Sequence, residues 1–196
     1  MLWGLLVGLI LAAEPQPRTS PFWNAKAPAD WSAEEVREIL RQSPWATVSA
    51  ATMGPRLNIH LASAEPMREA ETRERLALRY PVQPGASFEE YQSMLKDGRY
   101  IALAVLLRDT TAISDGIESR SLEHDSILHV GRRHYKLVTH FPPTPGDPYL
   151  RYVFPREIKP SDKSLLFDIY IPGIDYPQRH LEFDLREMVY KGRVSY

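Results

Sequence analysis

SLLFDIYIP, residues 164–172, decides how this chain is read. Leu165, Phe167, Ile169 and Ile171 alternate with Leu166, Asp168 and Tyr170. Successive side chains on a strand point to opposite faces, so four large apolar groups share one face and a mostly polar set the other. The stretch predicts an inner β-strand with one face on the core.

Working outward, the rest of the second half also reads as β. A turn over Pro172–Pro177 leads to His180–Leu185, with Leu181, Phe183 and Leu185 inward, and Met188–Tyr196 is a last strand broken at Gly192. Upstream, Asp125–Val130 and Arg133–His140 flank Gly131-Arg132, which suits a two-residue type II′ hairpin. Tyr149–Phe154 is a strand that follows the stiff loop FPPTPGDP over 141–148. Tyr100–Leu107, YIALAVLL, is apolar on both faces, which predicts a central strand covered on both sides.

Helical signals lie earlier. Over Trp31–Trp45, Ser32 and Glu35 form a capping box, and Trp31 with Val36 a hydrophobic staple; Ser43-Pro44 ends the helix. Ala46–Thr52 and Leu57–Ala62 form a hairpin around Met53–Arg56. Ala64–Tyr80 reads as a solvent-facing helix supported by Glu69→Arg73 and Glu71→Arg75 pairs. Ser87–Lys96 opens on a second capping box, Ser87 with Glu90, and Gly98 closes it. Thr110–Arg120 is polar and irregular, with room for a helical turn. The expectation is an α+β fold: an antiparallel β-sandwich or strongly twisted sheet, with two or three helices in the N-terminal half, in one domain over 21–196.

Met1–Ala13, MLWGLLVGLILAA, is uncharged and too short to span a membrane as a helix. It matches the apolar region of a secretory signal, though without the usual leading positive charge, and 14–20 then forms a polar linker. This places the protein in the periplasm or outside the cell, with no transmembrane span after processing. The chain has 24 basic and 25 acidic residues, net charge −1, so it lacks a nucleic-acid footprint. It has no cysteine, which excludes disulfides, thiolate catalysis and Cys-based metal sites.

Four segments carry a resemblance: DWSAEEVREILRQSPWA (30–46), AEPMREA (64–70), FPR with SDK (154–156 and 161–163) and FDLREMVYKGRV (183–194). Together they resemble a set of uncharacterised exported bacterial proteins, largely from soil bacteria. The resemblance implies export and a shared fold, and transfers no catalytic residue.

Candidates for chemistry come from the histidines, the outer-face acids and the tryptophans. A Gly131-Arg132 turn sets His129 opposite His134, with Cβ atoms about 5 Å apart, near enough to share a metal ion or a proton. Asp168, Glu182 and Asp184 share the outer face of neighbouring strands, a place for calcium or an acid–base pair and equally the wet side of a half-buried sheet. Ser114-Asp115-Gly116 has small neighbours but lacks the G-x-S-x-G frame. Phe22, Trp31 and Trp45 either line a groove for a sugar or apolar ligand or anchor the first helix to the sheet. No metal or cofactor signature is assembled. The reading is an exported, non-catalytic β-rich module of the cell envelope that works through protein or surface contacts. Two alternatives stand beside it: a hydrolase centred on His129/His134 or Asp168/Asp184, and a small-ligand binder.

Overall fold

The structure is a computed structural model and describes residues 20–49, 54–78, 85–107 and 116–196. The leader, most of the linker and Ser114-Asp115 lie outside the described residues. The fold is α+β with antiparallel sheets, and its helices concentrate in the N-terminal half.

The stretch that opened the reading is β8 (Ser164–Tyr170), with Leu165, Phe167, Ile169 and Ile171 all buried. It lies inside a four-stranded sheet in the order β5 (Arg133–Lys136), β4 (Ile127–Val130), β8, β9 (Gln178–Asp184). A five-stranded sheet runs β1 (Ala46–Ser49), β2 (Leu57–Leu61), β3 (Tyr100–Leu106), β7 (Tyr149–Pro155), β6 (Thr139–Phe141). As its sequence predicted, β3 is central and buried on both faces. Its large residues Ile101, Leu103 and Val105 join the core shared with β8, in which the Phe154 and Phe167 rings meet at 5.4 Å between centres, tilted by 60°. Ala102 and Ala104 face the other way, into a second apolar cluster.

Helix α2 (Ala33–Gln42) follows a single-turn helix α1 (Phe22–Ala25) and a 3₁₀ turn at Pro28–Asp30. Its capping box is formed on both sides: Glu35 N–H donates to Ser32 Oγ at 3.2 Å and Ser32 N–H to Glu35 Oε2 at 2.8 Å. Val36, Ile39 and Leu40 are buried, as is Trp31 in the staple. Helix α3 (Glu65–Leu78) lies beside α2, and α4 (Ala86–Lys96) covers the small-residue face of β3.

Four readings need correction. Helix α4 is capped by Gly85 without any side-chain hydrogen bond, so the Ser87–Glu90 box is not used. A further helix, α5 (Gly116–Asp125), extends the helical turn allowed within Thr110–Arg120 into sequence read as β from Ser121. The strand expected over Arg133–His140 breaks after Lys136 and changes sheets, β5 pairing with β4 and β6 with β7. Finally, Glu71 on α3 turns into the interior instead of pairing along the helix with Arg75. The last strand is a small hairpin, β10 (Val189–Tyr190) with β11 (Arg193–Val194), around Lys191-Gly192.

Candidate functional site

The outer face of the four-stranded sheet gathers most of the sequence-predicted site residues. The hairpin at Gly131, whose φ of +61° suits glycine, sets His129 directly opposite His134. Register then places Ile127 beside Asp168 and Asp168 beside His180. Asp168 is held between two imidazoles: His129 Nε2 lies 2.9 Å from Oδ2 and His180 Nδ1 2.5 Å from Oδ1. Burial pushes the Asp168 carboxyl up, but hydrogen bonds from His180 and His129 outweigh it and hold the carboxyl below its ordinary value. A shallow cleft of about 270 Å³ adjoins them, reaching His124 and Asp125 at the end of α5. Arg179 also lines this cleft; it is buried, and among the described residues its Nε and Nη2 have no hydrogen-bond partner.

Of the two centres proposed from sequence, one member of each meets the other: His129 and Asp168 touch. His134 stands outside this pairing, exposed across from His129. Asp184 stands apart, four rows along β9 from His180 and opposite Ser164. Hydrogen bonds from the Arg186 side chain and backbone N–H hold its carboxyl down at about 2. His180 was missed by sequence reasoning, yet it shares Glu182's parity; the β8–β9 register would have found it. Among the described residues no cluster of three His, Asp or Glu groups is arranged to hold a metal ion.

The aromatic residues divide. Trp45 is fully buried and its indole N–H donates to Ser195 O at 2.7 Å, while Phe22 makes edge contacts with Trp23 and Trp31. These two anchor rather than line. Trp31 does border an open groove of about 590 Å³, between α2 and α3, without Trp45 or Phe22. The groove's apolar surface comes from Trp31, Ala33, Val36 and Ala77, and its rim carries Arg37, Arg41 and Arg73 against Glu74 alone. The Glu74 carboxylate already accepts the Tyr149 hydroxyl at 2.8 Å. Arg41 and Arg73 make no ion pair within 4 Å among the described residues. Arg37 and Arg41, four apart on α2, were legible as one helix face; the groove itself exists only once α3 packs alongside.

A second charged group, unforeseen from sequence, is fully interior. Arg151 on β7 donates to both Glu71 oxygens at 3.1 and 2.8 Å, to both Asp147 oxygens at 2.9 and 2.7 Å, and to the Tyr91 hydroxyl at 3.1 Å. Across the sheet, Ala104 pairs with both His60 and Arg151. That small side chain leaves room for Glu71 to bridge them, with His60 Nε2 2.6 Å from Glu71 Oε1. Burial pushes the Glu71 carboxyl up, but the Arg151 charge and the His60 hydrogen bond overcome it and hold the group at about 2. Glu71 is thus ionised and His60 donates to it. Every charge here has a partner, which marks a structural keystone between α3, α4 and the sheet. The clue was one arginine inside the apolar strand YLRYVF.

Comparison with protein-family models, with curated proteins and with solved structures gives no match.

Proposed function

We propose that the protein is an exported, non-catalytic binding module of the cell envelope, and that the α2–α3 groove receives a small amphipathic organic anion, an apolar body bearing a carboxylate. One observation carries the reading: three guanidinium groups rim an apolar surface that holds a single, already engaged carboxylate. The groove's volume falls among those of small-ligand sites, which run from roughly 300 to 1,000 Å³. Guanidinium forks recognise carboxylates in two-pronged fashion, so the rim fixes the ligand's head while Ala33, Ala77 and the outer edges of Trp31 and Val36 cover its tail. The apolar leader read in the sequence supports the envelope setting.

Calorimetric titration with decanoate and decanol tests the groove. Decanoate should bind saturably, and both decanol and the Arg41→Ala/Arg73→Ala variant should bind about tenfold more weakly. Equal affinity for acid and alcohol would reject the reading. Mass analysis of the mature N-terminus tests export: a chain retaining Met1 in the cytoplasm removes the envelope.

The Asp168 bridge favours a second reading, a hydrolase in which His129 or His180 moves a proton beside the adjoining cleft. It requires turnover of a nitrophenyl ester or glycoside that Asp168→Asn abolishes while leaving decanoate binding intact.

A further inference from the structure

Where the β10–β11 hairpin meets the start of α3, a polar recess of about 210 Å³ is lined by Arg68, Arg156, Lys191 and Arg193, with Glu65 as its one acidic side chain. All four cations are exposed, and none makes an ion pair within 4 Å among the described residues. Four like charges around so small a space repel one another, and an anion between them relieves that. Tyr190 supplies an independent indication. It lines the same recess, it is 2% exposed, and among the described residues its hydroxyl makes no direct hydrogen bond, with the Lys191 side chain beside it. A buried hydroxyl left unpaired is costly, and a ligand oxygen, together with the Lys191 ammonium, would relieve that cost.

The surroundings hold these groups in place. Lys191 and Gly192 form the hairpin turn with φ of +48° and +77°, where asparagine and glycine are favoured. The lysine backbone is pinned by its N–H donating to Asn24 Oδ1 at 2.7 Å. The Lys191 ammonium sits 4.7 Å from the Tyr190 ring centre, and the Arg156 guanidinium 4.6 Å from that of Tyr196. Helix α3 directs its positive end here. Its first N–H groups are already engaged, Glu65 with Ser195 Oγ and Met67 with Ala64 O, so side chains supply the donors.

We infer that this recess is a phosphate-binding site, sized for the dianionic head of a phosphomonoester. Guanidinium and ammonium donors approaching from the residue after β7, from α3 and from the hairpin suit a tetrahedral group with several acceptor oxygens better than a planar carboxylate. The site is separate from the α2–α3 groove and stands whether or not that groove binds anything.

Calorimetry with inorganic phosphate at fixed ionic strength tests it. The protein should bind one phosphate saturably. Arg156→Ala/Lys191→Ala should weaken that at least tenfold and Tyr190→Phe severalfold, while Arg41→Ala/Arg73→Ala leaves it unchanged. Phenyl phosphate and phosphatidylcholine vesicles with or without phosphatidic acid distinguish the sources. Tight phenyl phosphate binding assigns a soluble ester, and binding confined to phosphatidic acid vesicles assigns a lipid headgroup. Absence of saturable binding to phosphate, ester and vesicle alike overturns the inference, as does equal binding by wild type and the Arg156→Ala/Lys191→Ala variant.

Discussion

Glu71 and Arg151 are 80 residues apart in the chain and meet through two parallel hydrogen bonds of 3.1 and 2.8 Å, with the arginine fully buried. Such a pair is costly to desolvate, and its value lies in the damage done when one member is removed. Glu71→Gln leaves the guanidinium with only Asp147 as counter-charge; Arg151→Met strands Glu71 in a dry interior. Each should destabilise the fold by about 3–5 kcal/mol in urea unfolding. The double variant should cost at least ~1 kcal/mol less than the sum, since the two share one contact. Strict additivity would mean that the pair does not interact in solution.

The same carboxylate sets an acid limit. Its folded pKa of about 2 lies below the 4.5 of an unperturbed glutamate. A depressed carboxylate contributes stability that is complete above the unfolded value and disappears as pH falls through the folded one. The window therefore runs from about pH 5 down to about pH 2, and the contribution is on the order of 3 kcal/mol. Urea midpoints taken across that range should fall steeply in the wild type and more shallowly in Glu71→Gln. Parallel curves for the two proteins would remove Glu71 from the acid response.

The elements legible from sequence were those whose signal is local. The alternation in 164–172 reports one covered face, and the doubly apolar β3 reports two. Ser32 and Glu35 sit three residues apart and cap each other, so that helix start could be read to the residue. What failed depends on distant partners. Glu71 and Arg75 have the right spacing for a surface pair, and nothing local says that Arg151 and His60 will claim the glutamate. Ser87 and Glu90 repeat the capping pattern, yet the chain enters α4 two residues early, at Gly85. The meeting of His129 with Asp168 needed the β4–β8 register, which is set by how two apolar faces mate. The sheet change after Lys136 had no turn signal at all.

The α2 cap gives a local test with a bounded outcome. Ser32 Oγ accepts the Glu35 N–H, and Trp31 with Val36 fastens the same turn to the core. Ser32→Ala should therefore cost about 1 kcal/mol, with the urea slope unchanged because no additional surface is exposed in the folded state. Ser87→Ala, at the box that α4 does not use, should cost no more than a few tenths of a kcal/mol. Equal losses at the two serines would contradict the cap assignments.

Asp168 and Asp184 are both depressed, for different reasons, and the difference can be measured. Asp184 is held by its neighbour two residues on, Arg186, so Arg186→Ala should return its carboxyl toward the ordinary 3.8. Asp168 is held against burial by imidazoles from two other strands, His180 first and His129 second. Carbon-13 titration of the side-chain carboxyls should show Asp168 moving up in His180→Ala and again in His129→Ala, with the largest rise in the double variant. Asp184 should stay fixed in all three. A carboxylate this acidic does not accept a proton near neutrality; it orients the rings that touch it. An Asp168 titration indifferent to both histidines would dissolve the cluster and, with it, the hydrolase reading.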